Sequence, residues 1–211
     1  MQSFGTKGRL EDERMLKGRG RYVSDWELPG QAHAQFLRAD RAHARIVSID
    51  PGPALAMPGV HAVLTGKDAA GLKFGFVRDN VALKDKVRCE HDEVAAVAAE
   101  TEAIARRALE LIAVEYEDLP GVFSPEAGAV DGAPLVQENF PGNRSLNFKF
   151  KHGDLAAAEA ASDVIVDSVF RPHHVTHCCM GTSCAIADFD HNGKLTIWTQ
   201  TQYPYNYKMD L

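Results

Sequence analysis

The sequence lacks three features, each of which would place it in a large class of proteins. Its apolar runs are too short to cross a bilayer, and the polar start MQSFGTKGRLEDER has no apolar signal segment. Only four cysteines occur, and three of them (Cys178, Cys179 and Cys184) lie together, unlike the spread framework of a disulfide-stapled secreted domain. We therefore expect a cytoplasmic protein with reduced thiols and no membrane span.

Basic segments are also missing. The 23 Lys and Arg residues and the 29 Asp and Glu residues give a formal net charge of -6 and are spread along the chain. Because no basic run is available to neutralise phosphates or anionic lipid, we expect no nucleic-acid partner. What is present, 45% hydrophobic and 25% charged residues in a chain of 211, suffices to bury a core in one large domain or two small ones.

The first part of the chain divides into an arm and a predicted sheet. Residues 1–30 are rich in glycine and charge, which predicts an extended arm that Tyr22, Val23 and Trp26 can pin to another surface. The segments AHAQFLRA, ARIVSID and VHAVLTG then read as strand-like and are separated by prolines and glycines. They predict three short strands of one sheet.

The segment EVAAVAAETEAIARRALELIAVEYEDLP has the clearest pattern. Two apolar runs, 94–99 and 112–116, flank a helical stretch with almost no loop, which predicts a β-α-β crossover with its strands paired in parallel. Thr101 is expected to cap the helix with its side chain, and Glu102 lies favourably in the first turn. The apolar residues of one helix face are Ala105, Ala108, Leu109 and Ile112.

A second domain is predicted beyond a stretch rich in Pro, Gly and Asn. This stretch, from about 119 to 147, has the composition of a linker. After it, GDLAAAEAASD predicts a helix capped by Asp154, DVIVDSVFR a strand, and CAIADFD with KLTIWTQTQ a hairpin around an Asn192–Gly193 type I′ turn. Only seven residues follow Pro204, so we expect this second domain to be incomplete.

Several segments, in order along the chain, resemble the large subunits of molybdenum hydroxylases: xanthine dehydrogenase, aldehyde oxidoreductase and carbon monoxide dehydrogenase. The resemblance implies an α/β (α+β) fold, with an α/β hammerhead domain over 31–120, a linker over 121–147 and the beginning of the first molybdenum-cofactor-binding domain over 148–211. The segments that carry it are RLEDERMLKGRGRYVSDWELPGQAHAQFLRADRAHARIVSID, PGVHAVLTGKD, VAAVAAETEAIARRALELIAVEYEDLP, GDLAAAEAASDVIVDSVFR and LTIWTQTQYP.

The resemblance also implies a function for the complete enzyme. It would bind molybdopterin and hydroxylate an N-heterocycle, an aldehyde or a related small molecule with oxygen from water. Electrons would pass through 2Fe-2S clusters and FAD on an iron-sulfur subunit and a flavin subunit. The family's GGGFGGK-like segment and its catalytic glutamate have no counterpart here, so we assign no catalytic residue and expect a companion chain or further large-subunit domains. A different hypothesis is a non-catalytic interaction or assembly module that retains the hammerhead fold.

One residue inherits a site role from the resemblance. Gln202, within TQYP, matches the glutamine that hydrogen-bonds a ligand oxygen on molybdenum, and an amide N–H suits this task because it stabilises charge without titrating. An exposed polar residue at a strand end is the plainer interpretation of such a glutamine. The sequence departs from the family at Gly181, where many members have the Glu of Met-Glu-Pro, and at His91, where glycine is usual.

A metal site of another kind is suggested by clustered histidines and cysteines. Zinc favours these ligands, but adjacent cysteines on a strand point to opposite faces, and CxxC spacing is missing. We therefore expect core cysteines and partly exposed histidines here, and a buried, unreactive thiol at Cys89. The cluster comprises His173, His174, His177, Cys178, Cys179 and Cys184.

Overall fold

The protein is described from a computed structural model, which covers residues 10–74, 80–173, 175–176, 178–179 and 181–211. The chain forms two compact units. The larger comprises Gly30–Asp163, and the smaller combines Met1–Pro29 with Val164–Leu211. No helix in the described part of the chain is long and apolar enough to span a membrane.

The larger unit is an α/β structure with two three-stranded antiparallel sheets. Its strands and helices are β1 (His33–Arg38), β2 (Ala44–Asp50), α2 (Gly52–Leu55), β3 (Val60–Thr65), β4 (Lys73–Phe74), β5 (Asn80–Val81), β6 (Lys86–Val87), β7 (Glu93–Ala99), α3 (Glu102–Leu109), β8 (Ala113–Asp118), α4 (Pro125–Gly128) and α5 (Leu155–Ala160). One sheet has the strand order β1-β7-β3 and the other has the order β6-β2-β8, while β4 and β5 form a separate short hairpin.

Strand β7 connects two hydrophobic clusters because its side chains point alternately to opposite faces of its sheet. Val97 and its neighbours on one face pack with α3, whereas Val94 belongs to the second cluster, beside β2 and β6. The buried residues of the first cluster are Ala54, Val63, Ala95, Val97, Ala99, Ala105, Ala108 and Ile112, and those of the second are Ala39, Ala44, Val87 and Val94. The three strands predicted for the first part of the chain are confirmed as β1, β2 and β3. Their placement in one sheet is wrong, because β2 pairs with β6 and β8 in the other sheet.

Helix α3 begins as the sequence predicts. Thr101 is extended, with φ -138° and ψ 156°, and its hydroxyl oxygen accepts a hydrogen bond from the Ile104 N–H at 3.2 Å. Glu102 occupies the first turn and pairs with Arg106 four residues later. The apolar face packs inward, because Ala105, Ala108 and Ile112 are buried and Leu109 is partly buried against the same cluster.

The predicted parallel pairing across α3 is wrong. Strand β7 already has β1 on one edge and β3 on the other, both antiparallel, so no edge is left for a parallel neighbour. Strand β8 instead pairs antiparallel with β2, with Ile46 opposite Tyr116, in the other sheet. Helix α3 therefore crosses between two sheets, although the strand and helix limits themselves are close to those that the pattern predicts.

The Pro- and Gly-rich stretch after β8 is folded around one amide side chain. The Asn143 oxygen accepts the Val136 N–H at 2.9 Å, and its amide nitrogen donates to the carbonyls of Gly128 and Pro134 at 3.0 Å. Farther along, Asp154 caps α5 as predicted, since its carboxylate accepts the Ala157 N–H at 3.1 Å. The larger unit includes both this Pro- and Gly-rich stretch and α5.

The smaller unit contains α1 (Asp12–Leu16), a 3-10 turn at Val23–Asp25, the antiparallel pair β9 (Ala185–Phe189) and β10 (Leu195–Thr199), and α6 (Pro204–Asp210). The arm is therefore not extended throughout, because two of its segments are helical. The strand predicted for 163–171 is wrong as well. Those residues form no strand, and Val164, Val166 and Phe170 are 77%, 81% and 86% exposed.

The β9–β10 hairpin is confirmed, but its turn differs from the predicted type I′. That turn needs a positive φ at both central residues, whereas Gly193 has φ +79° and Asn192 has no positive φ. The Asp190 carboxylate accepts the N–H groups of Asn192 at 2.8 Å and of Lys194 at 2.9 Å. This aspartate organises a longer loop in which only the glycine takes the left-handed conformation.

Candidate cofactor-binding site

Gln202 lies in the short connection between β10 and α6. The Tyr203 N–H donates to the Thr201 hydroxyl at 3.1 Å, which bends the chain before the helix begins at Pro204. The Gln202 side chain is exposed and makes no hydrogen bond within the part of the chain that the structure describes. Its amide is therefore available to an external acceptor.

The end of β10 is tied to the residues that precede β9. The Gln200 amide nitrogen donates to the Gly181 carbonyl at 3.2 Å and to the Ser183 hydroxyl at 3.4 Å. Beside it, the Thr199 hydroxyl donates to the Cys184 carbonyl at 3.1 Å. These bonds fix the backbone two residues ahead of Gln202. Sequence reasoning missed Gln200, because its partners lie 17 to 19 residues away and no local pattern reveals them.

Gly181 is buried at this junction, against the ring of Tyr22 from the arm. A Cβ atom built at position 181 would lie 2.7 Å from Tyr22 Cδ1 and 3.1 Å from the Gln200 side-chain oxygen. A glutamate, the residue usual in the resembled family, does not fit here without a shift of the ring. The glycine at position 181 is therefore matched to the nearby Tyr22 ring, a contact that the sequence alone does not reveal.

The second departure, His91, has a backbone reason. His91 has φ +70°, in the left-handed region that glycine adopts without penalty and that costs other residues roughly 1 kcal/mol. Its N–H donates to the Ala39 carbonyl at 2.9 Å, and its own carbonyl accepts from the Arg38 guanidinium at 2.9 Å. These bonds hold a turn at which glycine is the expected residue, so the histidine marks local strain in this turn.

No alternative metal centre is formed by the described histidines and cysteines. Within those residues, no group of three His, Cys, Asp or Glu side chains is placed to hold an ion. Cys178 and Cys179 are exposed and Cys184 is partly exposed, so the expectation of core cysteines is wrong for the first two. His174 and His177, which belong to the same cluster, lie outside the described residues.

Cys89 is exposed, which contradicts the expectation of a buried thiol. Its thiol donates to the Asp92 carboxylate at 3.5 Å. Partial desolvation is the main cause that raises the pKa of the Cys89 thiol above its usual value, and the negative charge of Asp92 raises it further. A raised pKa leaves little thiolate near neutral pH, so the expected low reactivity follows from electrostatics and not from burial.

The residues around Gln202 suit an anionic, oxygen-rich ligand group. A neutral amide presents two N–H donors and does not titrate, so it can contact such a group at any physiological pH. Because the Gln202 side chain is free and its backbone is held through Gln200, the donor is ready to bind without first breaking a hydrogen bond. This donor is compatible with the cofactor contact that the resemblance implies for Gln202, which stays a prediction.

Comparison with known proteins identifies two domain types in this order. Residues 17–120 match the model for the aldehyde oxidase and xanthine dehydrogenase a/b hammerhead domain, and residues 136–211 match a molybdopterin cofactor-binding domain. A relative that matches across both regions is the nicotinate dehydrogenase large molybdopterin subunit of Eubacterium barkeri, and the fold expected from the resemblance is confirmed. The chain belongs to the aldehyde oxidase and xanthine dehydrogenase family.

Individual relatives show how much of such a subunit the chain covers. The nicotine 6-hydroxylase large subunit of Paenarthrobacter nicotinovorans is 34% identical over 96% of this chain and 26% of its own length. The carbon monoxide dehydrogenase large chain of Afipia carboxidovorans is 34% identical over 97% of this chain and 28% of its own length. The chain thus spans little more than a quarter of these relatives.

Solved structures agree with this assignment. The crystal structure of the Cu,Mo-CO dehydrogenase superposes with a TM-score of 0.85 at 33% identity, over 96% of this chain and 28% of that one. Quinoline 2-oxidoreductase from Pseudomonas putida 86 superposes with a TM-score of 0.81 at 38% identity, over 92% of this chain and 26% of that one.

Proposed function

We propose that this chain is part of the large subunit of a molybdenum-dependent hydroxylase that oxidises a small molecule with oxygen derived from water. One observation carries the proposal: a hammerhead match is followed directly by a molybdopterin-domain match, and Gln202 lies free within the second of these.

Gln202 would hold the cofactor by donating a hydrogen bond from its side-chain amide to an acceptor at the metal end. Bound molybdopterin supplies the molybdenum centre at which the substrate is oxidised. The amide would stabilise negative charge there without adding a titratable group. Gln200 keeps the Gln202 backbone in place through its bonds to Gly181 and Ser183.

An N-heterocycle is the substrate class that the relatives favour, with an aldehyde or a related small molecule as the alternative. The names of the similar proteins include nicotine 6-hydroxylase, quinoline 2-oxidoreductase and nicotinate dehydrogenase, although carbon monoxide dehydrogenases are equally similar. The partners would be the remaining large-subunit domains or a companion chain, an iron-sulfur subunit with 2Fe-2S clusters and a flavin subunit with FAD. We place the complex in the cytoplasm.

The domain limits form part of the same proposal: an arm over 1–30, the hammerhead over 31–120, a linker over 121–147 and the cofactor-binding domain from 148. The hammerhead match ends at residue 120, which supports the second limit. Cleavage by a protease at low concentration tests the linker. Cuts confined to 121–147 would support these limits, and early cuts within 31–120 would contradict them.

The experiment that tests the function uses the native complex purified through this chain. We would measure molybdenum and iron by elemental mass spectrometry, map every co-purifying chain by its peptides, and assay a panel of N-heterocycles and aldehydes. About one molybdenum per copy, with iron and turnover of a panel member, is expected. An intact complex without either metal would overturn the enzyme proposal and favour the non-catalytic module.

Gln202→Ala tests the assigned contact in the same complex. Loss of one preorganised donor is expected to lower kcat about 10²–10³-fold. Asn147→Ala is the matched control, because it removes an exposed amide from the 121–147 segment and should leave kcat unchanged. Equal kcat values for the two variants would remove Gln202 from the site.

A further inference from the structure

The arm contributes side chains to the same compact unit as the cofactor-binding segment, although about 150 residues separate the two in sequence. The Trp26 ring lies 6.3 Å from the Trp198 ring on β10, measured between centroids, with an interplanar angle of 32°. The Arg21 guanidinium lies over the Trp26 ring at 5.1 Å, which adds a cation–π contact. Two aromatic anchors, Tyr22 and Trp26, thus hold the arm against this hairpin.

The arm is rigid where it makes these contacts. The Tyr22 N–H donates to the Asp25 carboxylate at 2.8 Å, and the Asp25 N–H returns a bond to the Tyr22 carbonyl at 3.0 Å. This reciprocal pair fixes the turn between Tyr22 and Trp26. The Tyr22 ring is therefore presented to Gly181 by a defined turn.

The ring, the glycine and the amide form one packed set. Gly181 has no side chain, so the Tyr22 ring can lie in the space beside it, where an added Cβ would be 2.7 Å from Cδ1. The same close approach leaves the Gly181 carbonyl accessible to the Gln200 amide at 3.2 Å. Displacing any one of the three therefore disturbs the bond that ends β10.

We propose that Tyr22, Gly181 and Gln200 are positioning residues that set the backbone of residues 199–203 and thereby aim Gln202. This proposal rests on the cofactor contact proposed for Gln202. The arm thereby supports the segment that carries Gln202, because the Tyr22 ring holds the Gln202 backbone through Gly181 and Gln200. No atom of these three residues needs to touch the cofactor or the substrate.

The first readout is amide hydrogen exchange in the native complex, followed by mass spectrometry of peptides covering 199–203. Tyr22→Ala, Gly181→Ala and Gln200→Ala are each expected to accelerate exchange there. Tyr22→Phe keeps the ring atoms that face Gly181 and should exchange as the unmodified chain does. Unchanged exchange at 199–203 in Tyr22→Ala, or equal acceleration in Tyr22→Phe, would overturn the proposal.

A double substitution tests whether the three residues act together. Gly181→Ala clashes with the Tyr22 ring, so its effect on exchange should be several-fold smaller when Tyr22→Ala has already removed that ring. If the two substitutions accelerate exchange independently, the double variant will show the product of the two single effects. That result would contradict direct packing between the Tyr22 ring and Gly181. The protein yield and Tm of each variant show whether it remains folded, and Tyr22→Phe supplies a variant that should fold normally.

The second readout is kcat in the loaded complex. A misplacement of about 1 Å costs on the order of 10²-fold in rate, so Gln200→Ala is expected to lower kcat about 10- to 100-fold with KM little changed. Added to Gln202→Ala, the same substitution should cause no further loss. A full further loss would show that Gln200 does not act through Gln202.

The two readouts separate the proposals. Amide exchange at 199–203 measures how firmly Tyr22, Gly181 and Gln200 hold this backbone, whether or not Gln202 contacts a cofactor. If Gln202→Ala leaves kcat unchanged while the exchange results are as expected, the proposed cofactor contact of Gln202 is wrong. The support of residues 199–203 by Tyr22, Gly181 and Gln200 would still stand.

Discussion

The two units of the molecule differ in how they bury apolar surface. Among the residues that the structure describes, the fourteen buried hydrophobic ones all lie within Gly30–Asp163, including Val87, Val94 and Val97 with no exposed surface. The described residues of the smaller unit include no buried hydrophobic side chain, and Val166 and Phe170 there are 81% and 86% exposed. The larger unit therefore carries its own core, whereas the smaller unit is held together by a few aromatic contacts and hydrogen bonds.

The largest expected effect on the free energy of unfolding comes from a charge placed in the core of the larger unit, compared with the same charge at an exposed site of the smaller unit. Val97→Asp buries an unpaired carboxylate in the hammerhead core and should cost about 4–5 kcal/mol in free energy of unfolding. Val166→Asp, at an exposed site of the smaller unit, should change it by less than about 0.5 kcal/mol. Urea unfolding of the full chain, followed by circular dichroism, measures both, and similar losses would break the comparison.

A smaller effect is expected from adding a methyl group to glycines with a positive φ. Gly59 has φ +82°, and a Cβ there would lie 2.8 Å from Ile104 Cδ1, so Gly59→Ala should cost about 2 kcal/mol. Gly193 has φ +79°, and no described atom lies within 4 Å of its added Cβ, so Gly193→Ala should cost about 1 kcal/mol. Unfolding midpoints that rank the variants in reverse order would contradict the difference in packing.

The smallest effect concerns thiol reactivity and involves no loss of fold. The raised pKa of Cys89 means that less thiolate is present at pH 8, so iodoacetamide should modify Cys89 more slowly than exposed Cys179. The Cys89 rate should rise more steeply as the pH is increased, because its thiol loses a proton only at higher pH. Peptide mapping over a time course measures both rates, and faster labelling of Cys89 at pH 8 would contradict the electrostatic account.

Local features of the fold could be predicted from sequence. The pattern of Ala44–Asp50 and the position of Thr101 gave a correct strand and a correct cap, because both depend on neighbours within a few residues. The parallel pairing of β8 failed, since a strand's partner depends on which edges of other strands are already filled. The strand predicted for 163–171 failed for a related reason. A segment with β-forming side chains becomes a strand only where a second strand is available to pair with it.

The candidate site was predictable only in part. Gln202 follows from a resemblance in the motif TQYP, and its role stays a prediction. The structure adds Tyr22, Gly181 and Gln200, which no spacing rule connects, because the first lies more than 150 residues before the other two. Gly181 was noted as a departure from the family, yet only the position of the Tyr22 ring gives that departure a physical cause.

The contact between Tyr22 and Gly181 has a consequence for the time course of biosynthesis. The arm leaves the ribosome first, but its binding surface is not made until residues 181–200 follow. At roughly 5–20 residues per second, the arm waits on the order of 10–35 s. The hammerhead, which lies between them and carries its own core, can fold in that interval while the arm is still unpaired.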